Sequence, residues 1–97
     1  MQWEASAIVT ANANVVSCGL DSEQVLLDLT SSRYYSLNRT GAQIWEMMAE
    51  PTSVGELRRR FLDRFDVEAE RGIRDLDILL TQFARSALID VRHEQAA

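Results

Sequence analysis

Lysine is absent from this 97-residue chain, whose ten basic residues are all arginine, and cysteine, histidine and proline each occur once. Without lysine there is no Schiff-base amine and no phosphate-binding lysine of the Walker type. One cysteine makes no intramolecular disulfide, and Cys18 with His93 alone builds no zinc site. Asp75 and Asp77 are two apart on an expected helix and point away from each other, so no paired-carboxylate mechanism is offered either. This inventory disfavours catalysis, and no cofactor is expected.

Long apolar runs are missing as well. None approaches the roughly 18 residues needed to cross a bilayer, and Met1-Gln2-Trp3-Glu4 lacks the basic and apolar regions of a signal peptide. The chain therefore reads as cytoplasmic with no membrane partner, which suits an unpaired thiol. Fifteen acidic side chains leave a net charge of −5, opposite to what phosphate neutralisation requires, so a nucleic-acid partner is disfavoured. With 46% of positions apolar, the chain is expected to fold as one small domain.

Residues 1–12 show no sustained period and are expected as a loose arm, although Ile8-Val9-Thr10 has the composition to begin a strand. Val15 to Leu20, a turn at Asp21-Ser22-Glu23, Val25 to Leu29, and Arg33 to Leu37 read as three strands. A three-residue loop, Thr30 to Ser32, puts Val25, Leu27, Leu29, Tyr35 and Leu37 on one face, the expected core face. Leu26, Asp28, Tyr34 and Ser36 then share the other. A two-residue loop exchanges Tyr34 and Tyr35.

Helical spacing begins at Asn38, a suitable N-cap, with Ala42, Trp45, Met48 and Ala49 repeating before Pro51. Ser53-Val54-Gly55-Glu56 has the form of a capping box, and Val54, Leu57, Phe61 and Phe65 stripe a second helix. A third runs from about Glu68 to Ser86, with Asp66 as candidate cap, and leads into Leu88-Ile89-Asp90-Val91 before a polar tail at 92–97. Strands first and helices after predict an α+β fold over 13–91: a three-stranded antiparallel sheet followed by three helices, winged helix-turn-helix-like.

Two features suggest docking of another chain. Tyr34-Tyr35-Ser36-Leu37 carries no charge, proline or bulge to guard a strand edge, and an unguarded edge invites strand addition. On the third helix, Ile73, Leu80, Ala84 and Ala87 form one arc, and Leu76, Leu79 and Phe83 widen it beyond a packing stripe, as the wall of a groove would; Ile78 falls outside and is expected to be exposed. Spacing alone does not say whether edge and flank meet. Arg58-Arg59-Arg60 and Arg64 read as a solvated face interrupted by Glu56 and Asp63, with a winged-helix DNA-binding regulator as the alternative function.

The ordered set Val25-Leu26-Leu27-Asp28-Leu29, Arg33 to Asn38, Thr40-Gly41-Ala42, Ile44-Trp45, Val54-Gly55-Glu56-Leu57 and Asp75 to Leu80 resembles the PqqD family. Its members are the recognition elements that bind precursor peptides of ribosomally synthesised, post-translationally modified peptides. The resemblance implies a non-catalytic peptide chaperone: a leader segment adds to the third strand, here Arg33, Tyr34, Tyr35, Ser36 and Leu37. It lies against the third helix, here Asp75, Leu76, Leu79 and Phe83. The implied partners are a precursor peptide and a modifying enzyme. Similarity is greatest to stand-alone members of lasso-peptide pathways, which work with a separate leader peptidase. The family often has Gly in the hairpin turn, Pro after the Asn and Gly before the closing apolar pair; this chain has Ser31-Ser32, Arg39 and Ala87 there.

Overall fold

The computed structural model describes residues 3–20 and 23–93. The turn expected at Asp21 and Ser22 and the end of the polar tail lie outside them. Six strands and three helices follow in the order β1 (Ile8–Ala11), β2 (Val15–Leu20), β3 (Glu23–Asp28), β4 (Arg33–Leu37), α1 (Arg39–Met47), β5 (Thr52–Ser53), α2 (Val54–Arg64), α3 (Ala69–Arg85) and β6 (Ile89–Arg92). The α+β expectation holds. The strands form two antiparallel three-stranded sheets, ordered β2-β3-β4 and β5-β1-β6.

The second sheet corrects the expected loose arm. Val9 pairs with Val91 and Ala11 with Ile89, so alternate residues of β1 and β6 share a face, and Val9 and Ile89 on it are buried. Trp3 and Ala7 are buried too. The indole N–H of Trp3 donates to the Thr81 hydroxyl at 3.0 Å. Both strand partners of β1 lie more than forty residues downstream, beyond the reach of any local pattern. Arg92, assigned to the tail, ends β6 opposite Ile8.

The β3–β4 register also differs from expectation. Four residues, Leu29 to Ser32, separate the paired Asp28 and Arg33, and Leu26 stands opposite Tyr35. The cause is Asp28, which belongs to the turn as well as the strand. Its Oδ1 accepts the N–H groups of Thr30 and Ser31 at 2.9 and 3.4 Å, and its carbonyl accepts the Ser32 N–H at 2.7 Å. A change of one residue in the loop turns one strand over relative to the other. Leu26 is thus fully buried, Asp28 nearly so, and Leu29 is 56% exposed. Tyr35 and Leu37 keep the inner face assigned to them.

The helices follow their local signals. Asn38 caps α1 through the Gly41 N–H at 2.8 Å, and α1 buries Ile44, Trp45 and Met47 and packs on β3 and β4. Ser53 caps α2 through the Glu56 N–H at 3.1 Å. The reciprocal half of the capping box is not formed among the described contacts; the Glu56 carboxylate accepts from Arg59 instead. Asp66 does not cap α3, whose first flanking residue is Glu68 with no side-chain capping bond. Helix α3 buries Gly72, Leu76, Leu80 and Phe83, and Ile78 is exposed as expected. It ends in a Schellman turn: Leu88 N–H donates to the Phe83 carbonyl at 2.9 Å and Ala87 N–H to that of Ala84 at 3.1 Å. Ala87 takes φ 57° there, and Ser32 takes φ 61° in the hairpin.

Candidate functional site

Strand β4 is an edge: β3 pairs with one side, and no strand among the described residues pairs with the other. Half the backbone N–H and C=O groups of such a strand point away from its partner. Alongside this free edge runs a groove of about 470 Å³, lined by Tyr35, Ser36, Leu37, Asn38 and Gly41 on one side and by Leu79, Gln82, Phe83, Ser86 and Leu88 on the other. The strand edge and the flank of α3, which spacing alone left apart, therefore meet.

Local chemistry holds both walls. On the strand side, the chain passes from β4 into α1 through the single residue Asn38, whose cap bond fixes the corner. On the helix side, Phe83 packs edge-on against Trp45 of α1, ring centroids 5.7 Å apart at 81°, which ties α3 to the element that β4 feeds. The Schellman turn then brings Leu88 back beneath the end of the groove. None of the lining residues carries a charge, in a chain with 26% charged residues. Apolar side chains and uncharged hydrogen-bonding groups are all this surface offers an occupant.

Of the nine residues expected at the site, Tyr35, Ser36, Leu37, Leu79 and Phe83 line the groove. Leu76 does not: at 1% exposure it is sealed in the core, one turn earlier on α3 and rotated inward. Asp75 is exposed beside Glu68, Glu70, Arg71 and Arg74, away from the groove. Tyr34 is 72% exposed and opposes Leu27 on the outer face of the sheet, and Arg33 is exposed at the start of β4. Asn38, Gly41, Gln82, Ser86 and Leu88 were not anticipated. Gln82, Phe83 and Ser86 follow Leu79 at three, four and seven residues, the repeat of one helix face, but their mixed polarity hides that repeat from a search for apolar stripes.

A larger hollow of about 560 Å³ lies on the other flank of α3. All its lining residues belong to α3, and they include Glu70, Arg74, Asp77 and Arg85. No strand edge reaches it. Two of the four arginines in the cluster, Arg58 and Arg59, form ion pairs. Arg58 is not on a solvated face as expected: it donates to Asp77 Oδ2 at 2.8 Å and to the Trp3 carbonyl at 2.9 Å. Arg59 bridges Glu56 and Asp63. Its hydrogen bond to Glu56 lowers that carboxyl's pKa and raises that of the guanidinium. No group of three or more potential metal ligands occurs among the described residues, and no described helix is long and apolar enough to cross a membrane.

Residues 23–89 match the family described as coenzyme PQQ synthesis protein D, PqqD, a span from β3 to the first residue of β6. The chain belongs to the PqqD family. That span contains both walls of the groove. Among solved structures, the PqqD-family chain is similar to one described as TbiB1 in complex with the TbiA(beta) leader peptide, with 27% identity, a TM-score of 0.75, and coverage of 91% of this chain and 99% of that one. A second, described as lasso peptide synthetase B1 complexed with the leader peptide, shares 23% identity and the fold, with a TM-score of 0.73 over 84% of this chain and 96% of that one. No curated protein matches the sequence.

Proposed function

We propose that this PqqD-family chain is a non-catalytic carrier that binds the leader segment of a ribosomal precursor peptide. The leader adds as a strand to β4, with alternate side chains entering the groove against α3. The carrier then presents the precursor to a separate modifying enzyme, a leader peptidase of a lasso-peptide pathway, in the cytoplasm. The observation that carries this is the continuity of an unpaired strand edge with an uncharged groove, Tyr35 to Leu37 facing Leu79 and Phe83. Backbone pairing supplies affinity independent of sequence, and the groove supplies selection. Similarity to a chain solved with a leader peptide supports the same reading.

Five residues of β4 allow an added strand of about 17 Å, so the recognised segment is short. Tyr35, Leu37, Leu79 and Phe83 are its proposed contacts, with Ser36 at the edge itself. Arg33 and Tyr34 lie at the margin, Asp75 lies away from the groove, and Leu76 supports the wall from within. Calorimetric titration with the leader of a precursor peptide encoded beside this chain tests the proposal. Saturable one-to-one binding at micromolar concentration or below is expected; no heat at high micromolar concentration would remove it.

A further inference from the structure

We infer that Gly41 sets the size of the side chain the groove admits, and that the seat beside it takes a bulky apolar side chain, aliphatic or aromatic, of the docked strand. The inference rests on the proposed strand addition at β4. Gly41 is buried in the first turn of α1, its N–H held by Asn38 Oδ1 at 2.8 Å. Backbone conformation does not demand glycine, because its φ is not positive, and within a helix glycine is less favourable than alanine.

Most of the space that a methyl group needs is open. A Cβ at Gly41 would meet Leu37 Cβ and Cδ2 at 3.7 Å, an ordinary contact; at 3.3 Å from Asn38 Oδ1, which also accepts the Gly41 N–H, the cap would have to give by a few tenths of an ångström. The other neighbour of that space is the groove. Gly41 lines it, and so do Leu37 and Asn38, the two residues that the missing side chain would approach. The volume a methyl group would fill is therefore left to the occupant. With Leu37, Leu79, Phe83 and Leu88 around it and no charged lining residue, a charged side chain entering there would lose its water without gaining a partner.

The test uses the full chain and a fluorescently labelled synthetic leader of the precursor encoded beside it. An alanine scan of that peptide first locates the apolar anchor whose loss costs the wild type most. Gly41→Ala is expected to bind the unmodified leader about tenfold or more weakly, the scale of one methylene in a closed apolar pocket, with Tm unchanged or raised. Trimming the anchor by one step, Phe to Leu or Leu to Val, should recover part of that loss in Gly41→Ala while weakening the wild type. Equal affinity of both proteins for both peptides would overturn the inference. A lower Tm with the same loss for every peptide would assign Gly41 to the helix cap and overturn it too. A wild type that binds no leader would instead refute strand addition itself, a distinct result.

Discussion

The indole N–H of Trp3 donates to the hydroxyl of Thr81 at 3.0 Å, joining the start of the chain to the middle of α3. Thr81 in turn donates to the Asp77 carbonyl at 2.9 Å, and Arg58 joins Asp77 to the Trp3 carbonyl. The N-terminal segment is thereby a buttress of the helix that forms one wall of the groove.

Removal of this buttress should be costly. Trp3→Ala is expected to lower stability by about 3–5 kcal/mol, the range for deleting a buried aromatic side chain. Trp3→Phe, which keeps most of the packing and loses the hydrogen bond, should cost less than half as much. Urea denaturation of the two variants checks the order; a Trp3→Ala chain as stable as wild type would mean the segment is not docked.

Among the described residues, two hold backbone conformations that favour glycine, Ser32 at φ 61° and Ala87 at φ 57°. A non-glycine residue in the left-handed region costs roughly 1–2 kcal/mol, and part of the relief from glycine is returned as unfolded-state entropy. Ser32→Gly and Ala87→Gly should therefore each stabilise the domain by about 0.5–1 kcal/mol, a few degrees of Tm for a chain of this size. Differential scanning calorimetry of the single and double variants checks it. Both fall where the sequence departs from the family's usual glycine, in the Ser31-Ser32 turn and at Ala87.

The hairpin turn should loosen in acid. Hydrogen bonds from the Thr30 backbone, and then from Ser31, hold the Asp28 carboxyl below its ordinary value of 3.8. A group whose pKa is lowered by folding contributes stability that is complete above the unfolded pKa and is lost as pH falls through the folded one. Carboxyl titration by NMR should place Asp28 below 3.8, and the protection of the Thr30 and Ser31 amides against exchange, taken relative to the intrinsic rate at each pH, should fall as Asp28 protonates. Asp28→Ala should show the lost protection already at neutral pH, and Asp28→Asn, which keeps an acceptor oxygen, should lose less of it.

Leu79 and Tyr34 should separate groove from margin. Leu79 is half-buried on the helix wall, so Leu79→Arg leaves the folded core intact while placing a charge in the groove; leader affinity is expected to fall by about 30-fold or more. Tyr34 faces outward, and Tyr34→Ala should stay within about threefold of wild type. Fluorescence anisotropy measures both. Phe83→Asp is less informative, since Phe83 is 3% exposed and its loss would disturb Trp45 as well.

Salt offers an independent check. No charged side chain lines the groove, so leader affinity should vary little, less than about threefold, between 50 mM and 500 mM NaCl. A steep linear fall of log affinity with log salt is the behaviour of a polyanion site and would return attention to the arginines of α2.

What could be read from the sequence was local. Asn38 and Ser53 announce their helices because a cap acts over three residues, and the stripe of α3 repeats over the whole of its length. That Tyr34 to Leu37 leaves a strand edge unguarded was legible in its missing charge. The β3–β4 register was not, because it depends on one carboxylate folding back on its own turn. Neither was the pairing of β1: a strand beginning at Ile8-Val9-Thr10 showed in its composition, but its partners lie far downstream. Leu76 and Leu79 both belong to the apolar arc, and only the position of β4 decides which is sealed and which is available.

The two walls of the groove, β4 and the second half of α3, are about forty residues apart in the chain, and the wall on α3 is steadied by Trp3 from a third region. No short stretch of the chain contains both walls. Occupancy and folding are consequently one coupled equilibrium: a leader at a hundred times its dissociation constant would add about 2.7 kcal/mol to the stability of the whole domain. A precursor peptide would thus protect its own carrier from unfolding and proteolysis, and the standing amount of carrier in a cell would follow the supply of its cargo.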